Sequence, residues 1–312
     1  MSTQLIRACA MALALLLSSG CNKEKDVDVP SASPQSARLA TGSPEEAITA
    51  NAALLKAGDF ASLMQNSLPP EKFAEFKEEW TKQKDNEPVT EEDRQKFSTL
   101  MQQLTASDAE ATLYADAGPK LKALEQQYQN QVPVYVNMAR GFAQNMAEQS
   151  QDLSESEKRQ SVDAINAIGD WAVTAKFADQ ELLKRGIAIA VATARSLQLK
   201  TIDEVRAMDY DTSMKKGQVA FLGVKKILAL YGLSIDDSLD SVTPTLVSTA
   251  ADTAKVKVDF TLLGKSMSTE TDMVRQDGRW YSKDTIEKLM LPAPTATTPD
   301  KNAAQPVAPT KG

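Results

Sequence analysis

The chain has 312 residues, a formal net charge of −7 and no histidine. Because phosphate binding needs clustered lysine and arginine, this acidic balance argues against nucleic acid as a partner. The absence of histidine excludes the usual Ser-His-Asp and Cys-His mechanisms and every histidine-based zinc or iron site. No nicotinamide or flavin fingerprint occurs in the sequence. We therefore expect no cofactor, no metal and no catalytic residue, and we expect that the protein is not an enzyme.

Residues 1–20 have the organisation of a secretory signal peptide. One cation, Arg7, precedes an apolar run at residues 8–17. This run is too short to cross a bilayer as a helix, which needs about 20 residues, but it suits the apolar region of a signal peptide. It ends in Leu17-Ser18-Ser19-Gly20-Cys21, which resembles the lipobox of bacterial lipoproteins, with the leucine one position further from the cysteine than is commonest. The resemblance implies cleavage between Gly20 and Cys21 and lipidation of Cys21.

The cysteine count favours the same interpretation. The chain has two cysteines, Cys9 and Cys21, and Cys9 would leave with the signal. A lone free thiol is a liability in an oxidising compartment, and acylation would give Cys21 a role. The alternative is an ordinary secretory signal with a cysteine there by chance. Asn22 and Lys23 follow Cys21, where Gram-negative lipoproteins retained at the inner membrane have aspartate. The resemblance thus implies a palmitate-bearing anchor in the outer membrane, facing the periplasm.

Both ends of the mature chain have low complexity. Residues 21–42 are rich in serine, proline and charge. They are expected to form the lipidated N-terminus and a disordered tether with a reach of about 25 Å. Residues 291–312 are rich in proline, alanine and threonine, which predicts a disordered tail. The folded part is therefore expected within residues 43–290.

Residues 43–232 are predicted to be helical. A hydroxyl followed three residues later by an acid is the pattern of a capping box, and it begins at Ser43, Thr90, Ser107, Ser154 and Thr201. Gly58 is expected to end the first helix. Apolar residues recur at helical spacing and predict core stripes at Phe73/Phe76/Trp80, Leu121/Leu124/Tyr128 and Val162/Ile165/Ile168. A ligand-binding aromatic box is the alternative interpretation of the first of these stripes.

Residues 233–290 have the pattern of a small antiparallel sheet packed on the helices. Apolar and polar residues alternate strictly through residues 253–262. A second strand at 267–276 ends in Asp277-Gly278, a strong hairpin signal, and Arg279-Trp280-Tyr281 begins the return. An edge strand is expected at 242–248, where Pro244 lies, and Asp284 is expected to cap a short last helix. The predicted fold class is α+β, mostly helical with a small C-terminal antiparallel β-sheet.

Two stretches resemble the nuclear-transport-factor-two-like domains of uncharacterised bacterial lipoproteins. Residues 43–71 are similar to their opening helices, and residues 256–281, which end in Gln276-Asp-Gly-Arg-Trp280, are similar to their closing strands. The resemblance implies a cone of curved sheet over helices, which different relatives use to bind small ligands or partners, or occasionally for catalysis. It transfers no catalytic residues, because the usual Asp/His pairs are not matched.

Three short motifs could indicate chemistry. Gly264-Lys265-Ser266 resembles the end of a phosphate-binding loop, but Asp259 stands where the earlier glycine is required, so a hairpin turn is predicted. Ser213-Met-Lys-Lys216 fits the nucleophile motif of penicillin-recognising enzymes, but the partner motifs are missing. The carboxylates of Asp236, Asp237 and Asp240 could hold Ca²⁺, but the sequence lacks the spacing of a loop site, so an exposed acidic connection is expected.

Three hypotheses for function remain. The first is a non-enzymatic binding module that acts on another envelope protein, for example as an inhibitor or immunity protein, while the lipid holds it on the membrane. The second is a small-ligand carrier with a pocket between sheet and helices, and the third is an enzyme that uses only carboxylates and tyrosine. A large enclosed apolar pocket would favour the carrier, whereas a filled core with an exposed apolar face would favour the protein partner.

Overall fold

The computed structural model describes residues 42–86, 88–151 and 153–290. The predicted signal peptide, Cys21, the tether up to residue 41 and the tail at 291–312 lie outside the described residues. The helices are α1 Pro44–Ala57, α2 Phe60–Ser67, α3 Pro70–Asn86, α4 Glu91–Thr105, α5 Ala109–Gln149, α6 Glu155–Thr174, α7 Gln180–Leu197, α8 Ile202–Ala207, α9 Tyr210–Leu230, α10 Ile235–Asp240 and α11 Lys283–Met290. The strands are β1 Thr243–Ala250, β2 Thr253–Leu262, β3 Lys265–Gln276 and β4 Arg279–Ser282. The predicted α+β class, mostly helical with a C-terminal antiparallel sheet, is confirmed.

Capping boxes start four of the five helices predicted to have them. In the boxes that begin at Ser43, Thr90, Ser154 and Thr201, the hydroxyl accepts from the backbone amide three residues on, and the acid at that position accepts from the capping residue's amide. Gly58 ends α1 in the left-handed conformation (φ 68°), where glycine carries no side-chain penalty, as predicted.

The predicted cap at Ser107 is wrong. The amide of Ala109 donates to the carbonyl of Ala106 (3.2 Å), so Ser107 and Asp108 form a turn before α5 begins. The serine therefore lies one residue too early to cap. Asp108 is the flanking residue, and its side chain makes no capping bond.

The sheet has the strand order β1-β2-β3-β4, with each neighbouring pair antiparallel. Burial alternates along the whole of β2, as predicted. Two tight turns with positive φ at both central residues join the hairpins: Leu263 (53°) with Gly264 (81°), and Asp277 (50°) with Gly278 (76°). The Gly264-Lys265-Ser266 motif is therefore a turn followed by the start of β3.

The edge strand and the last helix differ slightly from prediction. β1 lies at the edge of the sheet and pairs Pro244 with Val258, but it continues to Ala250. α11 begins at Lys283, so Asp284 lies inside its first turn, and the predicted cap at Asp284 is wrong. The hydroxyl of Ser282 accepts from the amide of Thr285 (3.3 Å) and takes the role expected of Asp284.

Three buried apolar clusters hold helices and sheet together. The first joins α1, α2 and α9 to α10 through side chains such as Leu55, Phe221 and Leu239. The second lies between α1 and the sheet, and its buried members are Ala47, Ala254, Val256, Val258, Met273 and Trp280. The third packs α6 on the far end of the sheet, with Ala164, Ala167, Phe260, Leu262 and Met267. Each cluster therefore contains residues from both sides of position 232.

The predicted core stripes are only partly buried. Ile165 is half-buried and Ile168 packs against the third cluster, while their small neighbours Ala164 and Ala167 are buried. Leu121 is half-buried, and the side chains of Leu124 and Tyr128 lie outside the described residues. Within the described ranges, no helix combines the length and apolarity needed to cross a bilayer.

The aromatic stripe on α3 packs around one tyrosine. The rings of Phe73, Phe76 and Trp80 meet Tyr210 edge-on, with ring centroids 6.0, 6.3 and 5.5 Å from that of Tyr210. Tyr210 is 5% exposed, and burial raises the pKa of its phenol well above the usual range. The edge-on rings fill the space around Tyr210, so this group is a packing cluster between α3 and α9.

Replacing Tyr210 by phenylalanine is expected to change the free energy of unfolding by less than about 0.5 kcal/mol or to stabilise the fold. The hydroxyl is buried without a hydrogen-bond partner among the described residues, and deleting an unpaired polar group removes its desolvation cost. Tyr210→Ala, the control, should cost about 3–5 kcal/mol. Urea unfolding measures both variants. A loss above about 1 kcal/mol for Tyr210→Phe would show that the hydroxyl has a partner in solution.

Candidate interaction surface on the fifth helix

Helix α5 is the longest element described, with 41 residues and a length of about 60 Å. It packs against α6 and α7 along one side. Pro119 and Pro133 lie inside it. A neighbouring helix covers only part of a helix circumference. The side of α5 that faces away from α6 and α7 is therefore exposed, and its residue types decide whether that side is polar or apolar.

Hydrogen bonds fix which side of α5 faces inward. The guanidinium of Arg140 donates to Asp170 on α6 (2.9 Å), and one turn later Gln144 donates to Asn166 (2.9 Å). Gly169 makes this contact possible, since a Cβ at that position would lie 2.3 Å from the Arg140 Nε. Lys265 donates to the second carboxylate oxygen of Asp170. The hydrogen bonds from Lys265 and Arg140 lower the pKa of Asp170, so its carboxylate stays charged further into the acidic range than a free aspartate.

The outward side of the same segment is apolar. Five side chains between 57% and 68% exposed lie there, and we call them the α5 stripe: Val134, Tyr135, Met138, Phe142 and Met146. They recur at helical spacing along one face. The single charge in residues 131–147 is Arg140, which is turned to α6.

The α5 stripe is larger than scattered apolar exposure. Because large apolar and aromatic side chains have about 150–250 Å² each, the five present roughly 600 Å² at their exposed fractions. Single exposed apolar residues are normal on a protein surface, whereas contiguous patches of this size commonly mark interaction sites. Aromatic and methionine side chains are also the types enriched in the centres of protein interfaces. This composition and size identify the stripe as the candidate functional surface.

The sequence contains a signal for this surface that the predictions above do not include. Val134, Met138, Phe142 and Met146 stand at regular four-residue spacing. Such a pattern is equally typical of a core-facing side, and only the contacts of Arg140 and Gln144 show that it faces outward.

A surface cavity of about 530 Å³ lies beside α6, α9 and the turn between β2 and β3. Its walls include Trp171, Tyr231 and Leu263, with the Asp170–Lys265 ion pair at one side. The indole of Trp171 donates to the carbonyl of Tyr231 (2.7 Å), which fixes this wall. This cavity is open and lies at one end of the sheet, whereas the layer between the sheet and α1 is filled by the second apolar cluster.

Two of the three acidic residues before the sheet are paired with lysines. Asp236 pairs with Lys225, whose side chain is 7% exposed and which also donates to the carbonyl of Lys56 (2.6 Å). Asp240 accepts from the Lys56 ammonium (2.6 Å). These carboxylates thus tie α10 to α1 and α9. No group of three or more metal-ligating side chains occurs in the part of the chain that the structure describes.

The Ser213–Lys216 motif lies in the first half of α9. Ser213 is buried, and the ammonium of Lys216 donates to the carbonyl of Leu197 at the end of α7 (2.7 Å). Because a cation at a helix C-terminus complements the helix dipole, Lys216 has a structural role there.

Removing the Asp236 carboxylate is expected to cost about 2–3 kcal/mol of unfolding free energy. Asp236→Ala leaves the buried ammonium of Lys225 with a neutral carbonyl in place of its anion. Asp237→Ala is a matched control in the same first turn of α10, where Asp237 is exposed, and it should cost less than about 0.5 kcal/mol. Chemical denaturation measures both. Equal losses in the two variants would mean that the effect comes from the helix terminus and not from the ion pair.

No family model, curated protein or solved structure matches this chain. The similarities to bacterial lipoproteins and to nuclear-transport-factor-two-like domains therefore stay predictions from the residues that carry them.

Proposed function

We propose that the protein is a periplasmic lipoprotein, anchored in the outer membrane through Cys21, that acts as a non-enzymatic binding module. The α5 stripe is its docking surface, and the partner that binds there is a protein of the cell envelope. An inhibitor or immunity protein is one form of such a module. The observation that carries the proposal is the apolar outward side of a helix whose inward side is held by Arg140 and Gln144.

The contacts that hold α5 against its neighbours support this role. Preorganised binding surfaces lose less conformational entropy on association than mobile ones. The Arg140–Asp170–Lys265 clamp joins α5, α6 and the start of β3, so the stripe is presented by three packed elements. A tether with a reach of about 25 Å would allow this surface to meet partners near the membrane.

The filled layer beneath the sheet also supports a binding module over a carrier. The side chains of Val256, Val258, Met273 and Trp280 occupy the space where a ligand would lie. The open cavity at Trp171 and Tyr231 is the described feature that would favour a small-ligand function. Quenching of Trp171 fluorescence by candidate apolar ligands would support that second function.

The proposal is tested by crosslinking in the native envelope. The lipidated protein is crosslinked in its own cells and captured, alongside Phe142→Glu and Val224→Glu variants. Val224 is a matched control because it is an exposed apolar residue (51%) on a different helix, α9. We expect crosslinked species that form with the wild-type protein and with Val224→Glu but not with Phe142→Glu. The same set of species from all three proteins would contradict the proposal.

Cys21→Ser is expected to abolish processing and membrane anchoring. A serine hydroxyl cannot form the thioether to the lipid, so the precursor should keep residues 1–20 and acquire no palmitate. Fractionation, labelling with radioactive palmitate and intact mass measure the outcome. Cys9→Ser, which changes the other cysteine inside the predicted signal, is the control and should mature normally. A Cys21→Ser protein that matures and stays in the membrane fraction through its own lipid would refute the anchor.

A further inference from the structure

We propose that the partner of the α5 stripe is a second copy of this chain, bound through an antiparallel pairing of the two α5 helices. The inference rests on the proposed function, because it names the occupant of the same docking surface. Three observations carry it: the symmetry of the stripe along the helix, its area, and the distribution of charge around it.

The stripe is symmetric about the level of residue 140. Val134 and Met146 stand six positions on either side of that level, and Met138 and Phe142 stand two positions on either side. In an antiparallel pair with a two-fold axis at this level, Met138 would face Phe142 of the second copy, and Val134 would face Met146. A two-fold interface requires such self-complementarity, since the same patch serves both copies. The four residues span about 18 Å, or three helical turns.

The area suits a stable dimer. Each copy offers roughly 600 Å², so complete burial of both stripes would remove about 1,200 Å² from water, which is the lower limit of standard protein interfaces. Phe142 and Tyr135 would supply aromatic anchors at the centre and towards one end. Gly141 has no neighbouring atom within 4 Å of where a Cβ would lie, so the second helix could approach closely at the level of the axis.

The charges favour a copy of the chain over a lipid surface. A helix that lies in a membrane interface usually carries lysine and arginine beside its apolar face, which bind anionic head groups. Here the single cation of residues 131–147, Arg140, lies on the opposite side of α5 in an ion pair with Asp170. The chain as a whole has a net charge of −7 and would be repelled by an anionic surface. A symmetric pairing of uncharged stripes brings no like charges together within the stripe.

The first experiment measures the mass of the purified protein. Residues 22–312, produced without the signal and the lipid-accepting cysteine, are examined by sedimentation velocity over a range of micromolar concentrations. The wild-type chain and Val224→Glu should be dimers, and Phe142→Glu should weaken association by at least about 100-fold. Circular dichroism melts verify folding, which the substitution should preserve because Phe142 is 68% exposed in the monomer. A wild-type monomer throughout, or a dimer that Phe142→Glu leaves intact, would overturn the inference.

The second experiment determines the geometry. Residues 22–312 contain no cysteine, so introduced thiols report only the designed contact. A mixture of Met138→Cys and Phe142→Cys chains should form an intermolecular disulfide faster than either variant alone. Faster disulfide formation between two chains of the same variant would indicate a parallel pair and overturn the antiparallel arrangement.

The outcomes separate this inference from the proposed function. A monomeric purified chain whose stripe still crosslinks to a different envelope protein would overturn the second copy and leave the docking surface in place. Flotation with vesicles of phosphatidylethanolamine and phosphatidylglycerol, lost in Phe142→Glu, would assign the stripe to lipid and overturn both. A dimer that depends on Phe142 in solution and in the envelope supports the second copy, and it supports the α5 stripe as the docking surface.

Discussion

Neither residues 43–232 nor residues 233–290 should show a cooperative unfolding transition when expressed separately. Each of the three apolar clusters contains side chains from both pieces, so the cut would expose all three at once. Burial of apolar surface offsets the entropy of ordering the chain, and the sheet piece alone would leave Val256, Val258 and Phe260 in water. Polar links such as Lys225–Asp236 and Lys265–Asp170 would be lost at the same cut.

Residues 43–290 are the control for this experiment. They should unfold in one transition and melt within a few degrees of the full mature chain, because the flanking segments have little apolar surface to bury. Thermal unfolding followed by circular dichroism, with limited proteolysis, measures all three pieces. If both halves fold independently, the protein is a helical module joined to a separate sheet domain, and the similarity to nuclear-transport-factor-two-like domains is coincidence.

Trp280→Ala should lower the free energy of unfolding by about 3–5 kcal/mol. The indole is 8% exposed and belongs to the second apolar cluster, where it packs with Val256, Val258 and Met273 of the sheet. Ala47 of α1 lies in the same cluster, so removing the ring would leave a cavity between a helix and three strands. The surrounding strands cannot move in to fill such a cavity, because the hydrogen bonds between paired strands fix their positions.

Val247→Ala is the control for Trp280. Val247 is exposed on the edge strand, and its truncation should cost less than about 0.5 kcal/mol. Guanidinium unfolding with a constant denaturant slope measures both variants. A loss below about 1 kcal/mol for Trp280→Ala would show that the ring is exposed in solution, and would make Trp280 part of a binding surface.

Local chemistry alone determined several of the element boundaries. Ser43, Thr90, Ser154 and Thr201 start helices because a hydroxyl and an acid three residues apart satisfy amides within one turn. Asp277-Gly278 forms its hairpin because both residues accept positive φ. The alternation of β2 was predictable because the side-chain period of a strand is two and one of its faces is buried. The lipobox interpretation depends on the same kind of short-range pattern.

Packing between distant segments decided the rest. A turn after α4 places Ser107 one residue before the position that caps α5. Asp236 has Lys225 as its partner because α9 and α10 pack together. The candidate site is the clearest case. The four-residue spacing of Met138 and Phe142 gives α5 an apolar side, but the spacing alone cannot tell whether a neighbour covers that side. The contact of Arg140 with Asp170 across Gly169 turns the apolar residues outward, because a helix can press only one side against its neighbour.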